Sequence, residues 1–402
     1  MRDGRRSPVP IPQRWILALA LGAALLFGSA LAQAADEPNV VPLVMRTPRG
    51  GFNRMVVSIT VCEPGTDRCA TIDDVMVDTG STGLRLEASA VPAWLRLPPL
   101  LGPGSRPLAE CLRFVHDAAW GPLVRADVRL GGLTARQLHV QVIDDADGAQ
   151  PATCARSDVR PTSNGTLGIG QHLFDCPGAC RQSAEAPVTF VKDGLTWVPL
   201  VGNIDQAYRL PNPISLLPVH DNGIVIDLPS PTGGGSEIVA GTLTIGVGTA
   251  GNNQLETSGI VRLDAAGRFT TVFDGKTFPA SSIDSGTETY VFDDALLPRC
   301  QGLAWAYCLT PARHFSAEML GQDGTRTTVG LEIGDYQARR NGHAGASDDV
   351  AEAAESQSNA FVWGAPFFLG RRVFLVMEGK SVPGASGVAG PFYTVKQDRR
   401  DG

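Results

Sequence analysis

Aromatic residues make up only 6% of the 402-residue chain and charged residues 19%. Lysine and arginine (34) are outnumbered by aspartate and glutamate (41), so no global basic field exists to gather nucleic acid or anionic lipid. The few aromatic rings form no cluster suited to sugar stacking, which leaves a carboxylate-pair glycosidase without support. Histidine is scarce as well. None of the six has a paired-ligand spacing, and Cys176 and Cys180 have no second cysteine pair of zinc type, so no metal and no other cofactor is implied. The chain lacks G-x-S-x-G, H-E-x-x-H and P-loop strings, which removes the serine-hydrolase, zinc-protease and nucleotide-hydrolase readings. Beyond residue 34 no run is long and apolar enough to span a bilayer.

What is abundant is turn chemistry. Glycine (46) and proline (29) punctuate the chain, while 43% of it is apolar, a composition that favours many short strands over a helical bundle. From about Pro42 the runs MVVSITVC, TIDDVMVD, VRADVRLGG, LHVQVID, GIVIDLP, SEIVAGTLTIGVG, IVRLD, FTTVFDG and RRVFLVME alternate with Gly, Pro, Asn and Asp, and predict an all-β protein. Residues 334–360, polar and rich in Ala and Gly, read as a flexible surface insertion with one short helix.

The N-terminal region reads as an address. Arg5, Arg6 and Arg14 flank an apolar run from Trp15 to Phe27, followed by Ala32-Gln33-Ala34, the order of a secretory signal cleaved after Ala34. Export to the periplasm or beyond makes disulfides the default for the eight cysteines. Proximity pairs Cys62 with Cys69, Cys176 with Cys180 and Cys300 with Cys308, leaving Cys111 with Cys154, although eight cysteines permit 105 connectivities.

A faint internal duplication carries the chemistry. Val75-Met76-Val77 leads into Asp78-Thr79-Gly80-Ser81-Thr82-Gly83, and 90 residues after Asp78 the apolar element Thr166-Leu167-Gly168-Ile169-Gly170 is centred on Gly168. Ser282-Ile283 leads into Asp284-Ser285-Gly286-Thr287, and 80 residues after Asp284 comes Gly364, within the run Phe361 to Phe368. The repeated order predicts two related lobes: 35–215 with the Asp78 loop, and 216–395 with the Asp284 loop, followed by a polar tail at 396–402. An Asp at a strand end, before a hydroxyl residue and a Gly, is oriented by amide and hydroxyl donors. Two such carboxylates brought together share one proton, which makes one a base and the other an acid for water attack on a carbonyl.

These motifs resemble those of pepsin-like aspartic proteases, over roughly residues 42–395. The resemblance implies a bilobal β architecture of two barrel-like lobes with an active-site cleft between them. It implies Asp78 and Asp284 as the catalytic pair, Thr79 and Ser285 as the hydroxyls tying the two loops together, and Ser81 and Thr287 as donors to the outer carboxylate oxygens, with Gly80 and Gly286 completing the turns. Gly168 and Gly364 fall on the two strands that cross beneath the loops. WGPLVRADVRLGG is similar to the strand leaving the flap hairpin. There Phe114 stands where the family usually has Tyr, and Arg85 where many members have the Trp that bonds to it, while His116 and Trp120 become candidates for substrate contact. The 44 residues from the proposed cleavage site through Asp78 leave no room for an inhibitory pro-segment. The mature chain is also similar to an uncharacterised family of secreted bacterial proteins with DTGS and DSGT motifs. The implied activity is that of an exported, monomeric aspartic endopeptidase acting on peptides or proteins held in extended conformation. The competing expectation is an inactive scaffold that binds or inhibits at the periplasm or cell surface.

Overall fold

The computed structural model describes residues 37–397, leaving out 48–50, 114–117, 145–149, 152–153, 155–161, 179, 183–187, 256–258, 355–357 and 386. The expected export signal, Phe114 and His116 lie outside the described residues.

The first half contains β1 (Val40–Arg46), β2 (Arg54–Cys62), β3 (Cys69–Asp78), β4 (Thr82–Glu87), β5 (Leu108–Arg113), β6 (Ala118–Leu130), β7 (Leu133–Ile143) and β8 (Gly165–Ile169). Alternation decides which face is buried. In β1, Val41, Leu43 and Met45 enter the core while Pro42 faces out, the period of two that a half-buried strand requires. Strand β8 inserts between β3 and β4, parallel to the first and antiparallel to the second, so Gly168 lies opposite Asp78 on one side and Gly83 on the other. A Cβ at Gly168 would come within 2.8 Å of the Gly83 carbonyl oxygen and 2.9 Å of Ser81 Oγ, so only glycine fits beneath the turn.

The second half repeats this arrangement. The strand Lys276–Ile283 runs parallel to Val362–Trp363, which pairs antiparallel with Tyr290–Phe292. Gly364 here meets the same constraint, since a Cβ would fall 2.0 Å from the carbonyl oxygen of Thr289. A shared sheet joins the halves. Strand β1 pairs with Ile238–Ile245 from Val40 opposite Thr244 to Arg46 opposite Ile238, continuing one fifteen-stranded sheet across the molecule. The protein is thus all-β and bilobal.

The scarce aromatics are concentrated beneath the second turn. Phe361 stacks on Phe292 at 4.7 Å, lies 4.6 Å from Trp363, and packs with Phe273, Phe278 and Tyr290. Offset and edge-to-face contacts of this kind add about 0.5–1.5 kcal/mol each beyond area burial.

The expectation of a surface insertion at 334–360 is corrected in part. A short helix does occupy Tyr336–Asn341, but Ala346, Ser347, Asp349, Val350 and Ala351 are buried. Their polar groups are matched internally: Arg339 Nη2 meets Asp349 Oδ2 at 2.7 Å, the Ser347 amide donates to Asn53 Oδ1 at 2.6 Å, and Ala351–Ala353 pairs with Tyr290–Phe292. Polar composition misled the reading because the partners come from distant parts of the chain.

The cysteines form four disulfides, Cys62–Cys69, Cys111–Cys154, Cys176–Cys180 and Cys300–Cys308. Cys111–Cys154 closes the longest loop, at a separation of 43, so chain entropy assigns it the largest contribution, about 4 kcal/mol. Replacing both of these cysteines by Ala is expected to lower the unfolding free energy more than removal of Cys176–Cys180, whose separation is only 4, as measured by urea denaturation of the two variants.

Candidate active site

Asp78 closes β3, and Asp284 directly follows the strand ending at Ile283. In each case the strand delivers the carboxylate into a turn whose next residues supply its donors. The Gly80 amide donates to Asp78 Oδ1 at 2.8 Å and Ser81 Oγ donates to Asp78 Oδ2. The Gly286 amide donates to Asp284 Oδ1 and Thr287 Oγ1 to Asp284 Oδ2, both at 2.8 Å. The two carboxylates are therefore held in the same way by equivalent atoms.

A reciprocal set of bonds locks one turn to the other. The Thr79 amide donates to Ser285 Oγ at 2.9 Å, and the Ser285 amide donates to Thr79 Oγ1 at 3.0 Å. Each hydroxyl then passes its own proton to the opposite strand, Ser285 Oγ to the Val77 carbonyl at 2.8 Å and Thr79 Oγ1 to that of Ile283 at 3.4 Å. All four groups are buried, where an unmatched donor would cost about 1–3 kcal/mol.

The glycines make the approach possible. A Cβ on Gly80 would sit 2.5 Å from Asp284 Oδ1, and one on Gly286 would sit 2.8 Å from Asp78 Oδ1. Each turn's glycine thus leaves the space that the other turn's carboxylate fills. Asp78 and Asp284 hydrogen-bond to one another. Burial, and after it the charge of Asp284, pushes Asp78 up to about 7, against the pull of its Ser81 and Gly80 donors. Two carboxyls in such contact share one proton below that value.

Tyr393, on the strand Phe392–Gln397, is a part of the site that sequence reasoning missed. Its hydroxyl donates to the Ile283 carbonyl at 3.4 Å, the same acceptor that Thr79 Oγ1 reaches, which braces the locked turns. No motif surrounds it, and 109 residues separate it from Asp284.

The hairpin residues fall differently. Trp120 on β6 is 0% exposed, with its ring edge-on to Phe190 at 5.2 Å and Trp197 at 5.8 Å, next to buried Cys111 and Cys154. It packs the hairpin's core and is not a substrate contact, a correction that follows from its inward face on the strand. Arg85 is corrected likewise. It is fully buried and its guanidinium is engaged by Glu110 on β5 and by Asp175, so it does not line an open cleft. Cys300, Cys308 and Asp335 lie together, but both sulfurs are spent in a disulfide, which leaves no thiolate for a metal.

A solved structure with the same fold is the aspartic proteinase from Irpex lacteus. It matches at a TM-score of 0.50 and 15% identity, over 83% of this chain and 93% of that one. The architecture is accordingly pepsin-like. Among curated proteins no sequence matches. The family model described as "Protein of unknown function (DUF3443)" matches residues 35–395, nearly the whole of the chain outside its N-terminal region. A protein of two locked Asp turns on a bilobal β scaffold, it belongs to the DUF3443 family.

Proposed function

We propose that the protein is an aspartic-type endopeptidase, exported after cleavage near Ala34 and acting on peptide chains bound in extended conformation between lobes bounded at about residue 215. The observation that carries this reading is the pair of carboxylates held by equivalent donors in two locked turns. Four disulfides suit an oxidising compartment outside the cytoplasm.

In this mechanism Asp78 and Asp284 are the catalytic residues, and a water lies between them and the scissile carbonyl. The ionised carboxylate takes one proton from the water as its oxygen bonds to the carbonyl carbon. The protonated partner gives its proton to the carbonyl oxygen, which yields a neutral tetrahedral diol and reverses the roles of the two acids. In the collapse the now protonated carboxyl gives its proton to the amide nitrogen as the C–N bond breaks, and the other carboxylate takes a proton from a diol hydroxyl as the carbonyl re-forms. Both carboxyls end as they began, with one proton between them. Thr79, Ser285 and Tyr393 act as positioning residues, and the donors Ser81 and Thr287 hold the outer oxygens so that neither carboxylate turns away from the water.

The second reading, an inactive scaffold that binds an extended peptide, is favoured by one observation. With Trp120 buried, one of the two expected substrate contacts on the hairpin, Trp120 and His116, is lost.

Asp78→Asn and Asp284→Asn, each singly, are expected to reduce cleavage of a mixed peptide library by on the order of 10²–10⁴-fold while leaving the circular dichroism spectrum intact. No cleavage by folded wild type between about pH 3 and 8 would sink the peptidase reading in favour of the binding one.

The pH dependence has a defined sign. Asp78 is raised from an ordinary value of 3.8 to about 7, so the shared proton is present through the acid range and lost as pH rises through about 7. Turnover is expected to persist to near neutrality and then to fall about tenfold per pH unit, read from kcat/KM against pH. Stability tied to protonated Asp78 follows the same course, being complete below the unfolded value and lost through about 7. Asp78→Asn should remove this part of the loss in thermal melts.

A further inference from the structure

A second acid pair lies buried in the first half of the chain. Arg85 on β4 donates from Nη2 to Glu110 Oε1 at 2.7 Å and to Asp175 Oδ2 at 3.4 Å, while its Nη1 donates to the Thr82 carbonyl at 2.7 Å. The three side chains are only 0%, 2% and 6% exposed. Glu110 belongs to β5, the first strand of the hairpin, and Asp175 follows β8, the strand that crosses beneath Asp78. Gln141 on β7, opposite Arg85, closes the group by donating to the Glu110 carbonyl at 2.8 Å and to that of Ala119 at 3.1 Å.

Charge arithmetic constrains this cluster. One guanidinium and two ionised carboxylates would leave a net negative charge away from water, which is costly, and a single proton removes it. Asp175 and Glu110 hydrogen-bond to one another, which gives that proton a place between them. The charged groups acting on Asp175 are Glu110 from β5 and Arg85 from β4; Gln141 from β7 is neutral, and the Cys176 amide beside it adds a donor. Burial, then the charge of Glu110, holds Asp175 well above the usual carboxylate range despite Arg85.

We propose that Arg85, Glu110 and Asp175 are positioning residues, a buried clamp with one proton shared between its carboxyls, which docks hairpin strand β5 onto the strand leaving the Asp78 turn. The clamp joins β4, which starts one residue after the Asp78 donor Ser81, to β5 and to the loop after β8. It goes beyond the peptidase reading, because its action on the hairpin needs no turnover. A raised acid contributes stability that is complete below its unfolded value near 3.8 and is lost as pH rises through its folded value. The clamp therefore holds in acid and loosens in base.

The test uses the mature full-length protein carrying Asp78→Asn, which removes the titration of the first pair and any self-digestion. Urea melts between about pH 5 and 9 are expected to show the folded-to-unfolded ratio falling by up to about tenfold per pH unit. Adding Asp175→Asn, which mimics the protonated acid, should flatten that fall. Hydrogen exchange across residues 108–113 should rise at high pH with Asp175 present and stay low with Asn. Parallel pH curves and equal exchange in the two proteins would overturn the clamp. Should Asp175→Asn not fold, Glu110→Gln in the same background is expected to flatten the curve, and an unaltered slope there would equally overturn it.

Discussion

The approach of Asp78, which is buried, to the half-buried Asp284 where the two turns meet sets the terms for the rest of the molecule. Like charges in contact repel, and burial together with the charge of Asp284 raises Asp78, so the approach favours a proton on the pair and needs its orientation imposed from outside. The outside restraint is the reciprocal Thr79–Ser285 lock, in which each hydroxyl accepts an amide from the other turn and donates to the other strand. Equivalent donors on both carboxylates and glycines at both facing positions follow from that geometry.

Beneath the turns the two halves solve one mechanical problem with different materials. In each, a short crossing strand runs parallel to the Asp-bearing strand and carries a glycine where the backbone passes closest to the turn. Support under Asp284 comes from stacked rings around Phe361, whereas the region beside Asp78 relies on an ion cluster around Arg85. Packed rings are insensitive to pH, while a cluster with one cation for two acids is not. The half that bears the proton-sharing Asp78 is thus also the half with a second titratable joint.

Much of the frame was legible along the chain. Alternating short runs and abundant turn residues marked an all-β protein, and the two Asp-hydroxyl-Gly turns with their later apolar glycine elements marked a duplicated architecture. Three of the cysteine pairs are near neighbours, which left the fourth by elimination, and the disulfides follow that order. The errors share one cause. Trp120 was read as a substrate contact, Arg85 as a stand-in for a flap-bonding Trp and residues 334–360 as surface, yet Trp120, Arg85, Ser347 and Ala351 are buried against partners far away in sequence, and partnership across such distances leaves no local pattern.

The sequence by itself determined the residue types that each turn supplies to its own carboxylate, because an Asp and its amide and hydroxyl donors lie within three positions of one another. Only the tertiary structure decided the rest of what crosses between elements: the donors and acceptors of the Thr79–Ser285 lock, the brace from Tyr393, and the pairing of Arg85 with both Glu110 and Asp175. Short-range hydrogen bonding is written in spacing. Charge compensation in a dry interior depends on which side chains the folded chain brings together, and that information does not exist until the sheets have closed.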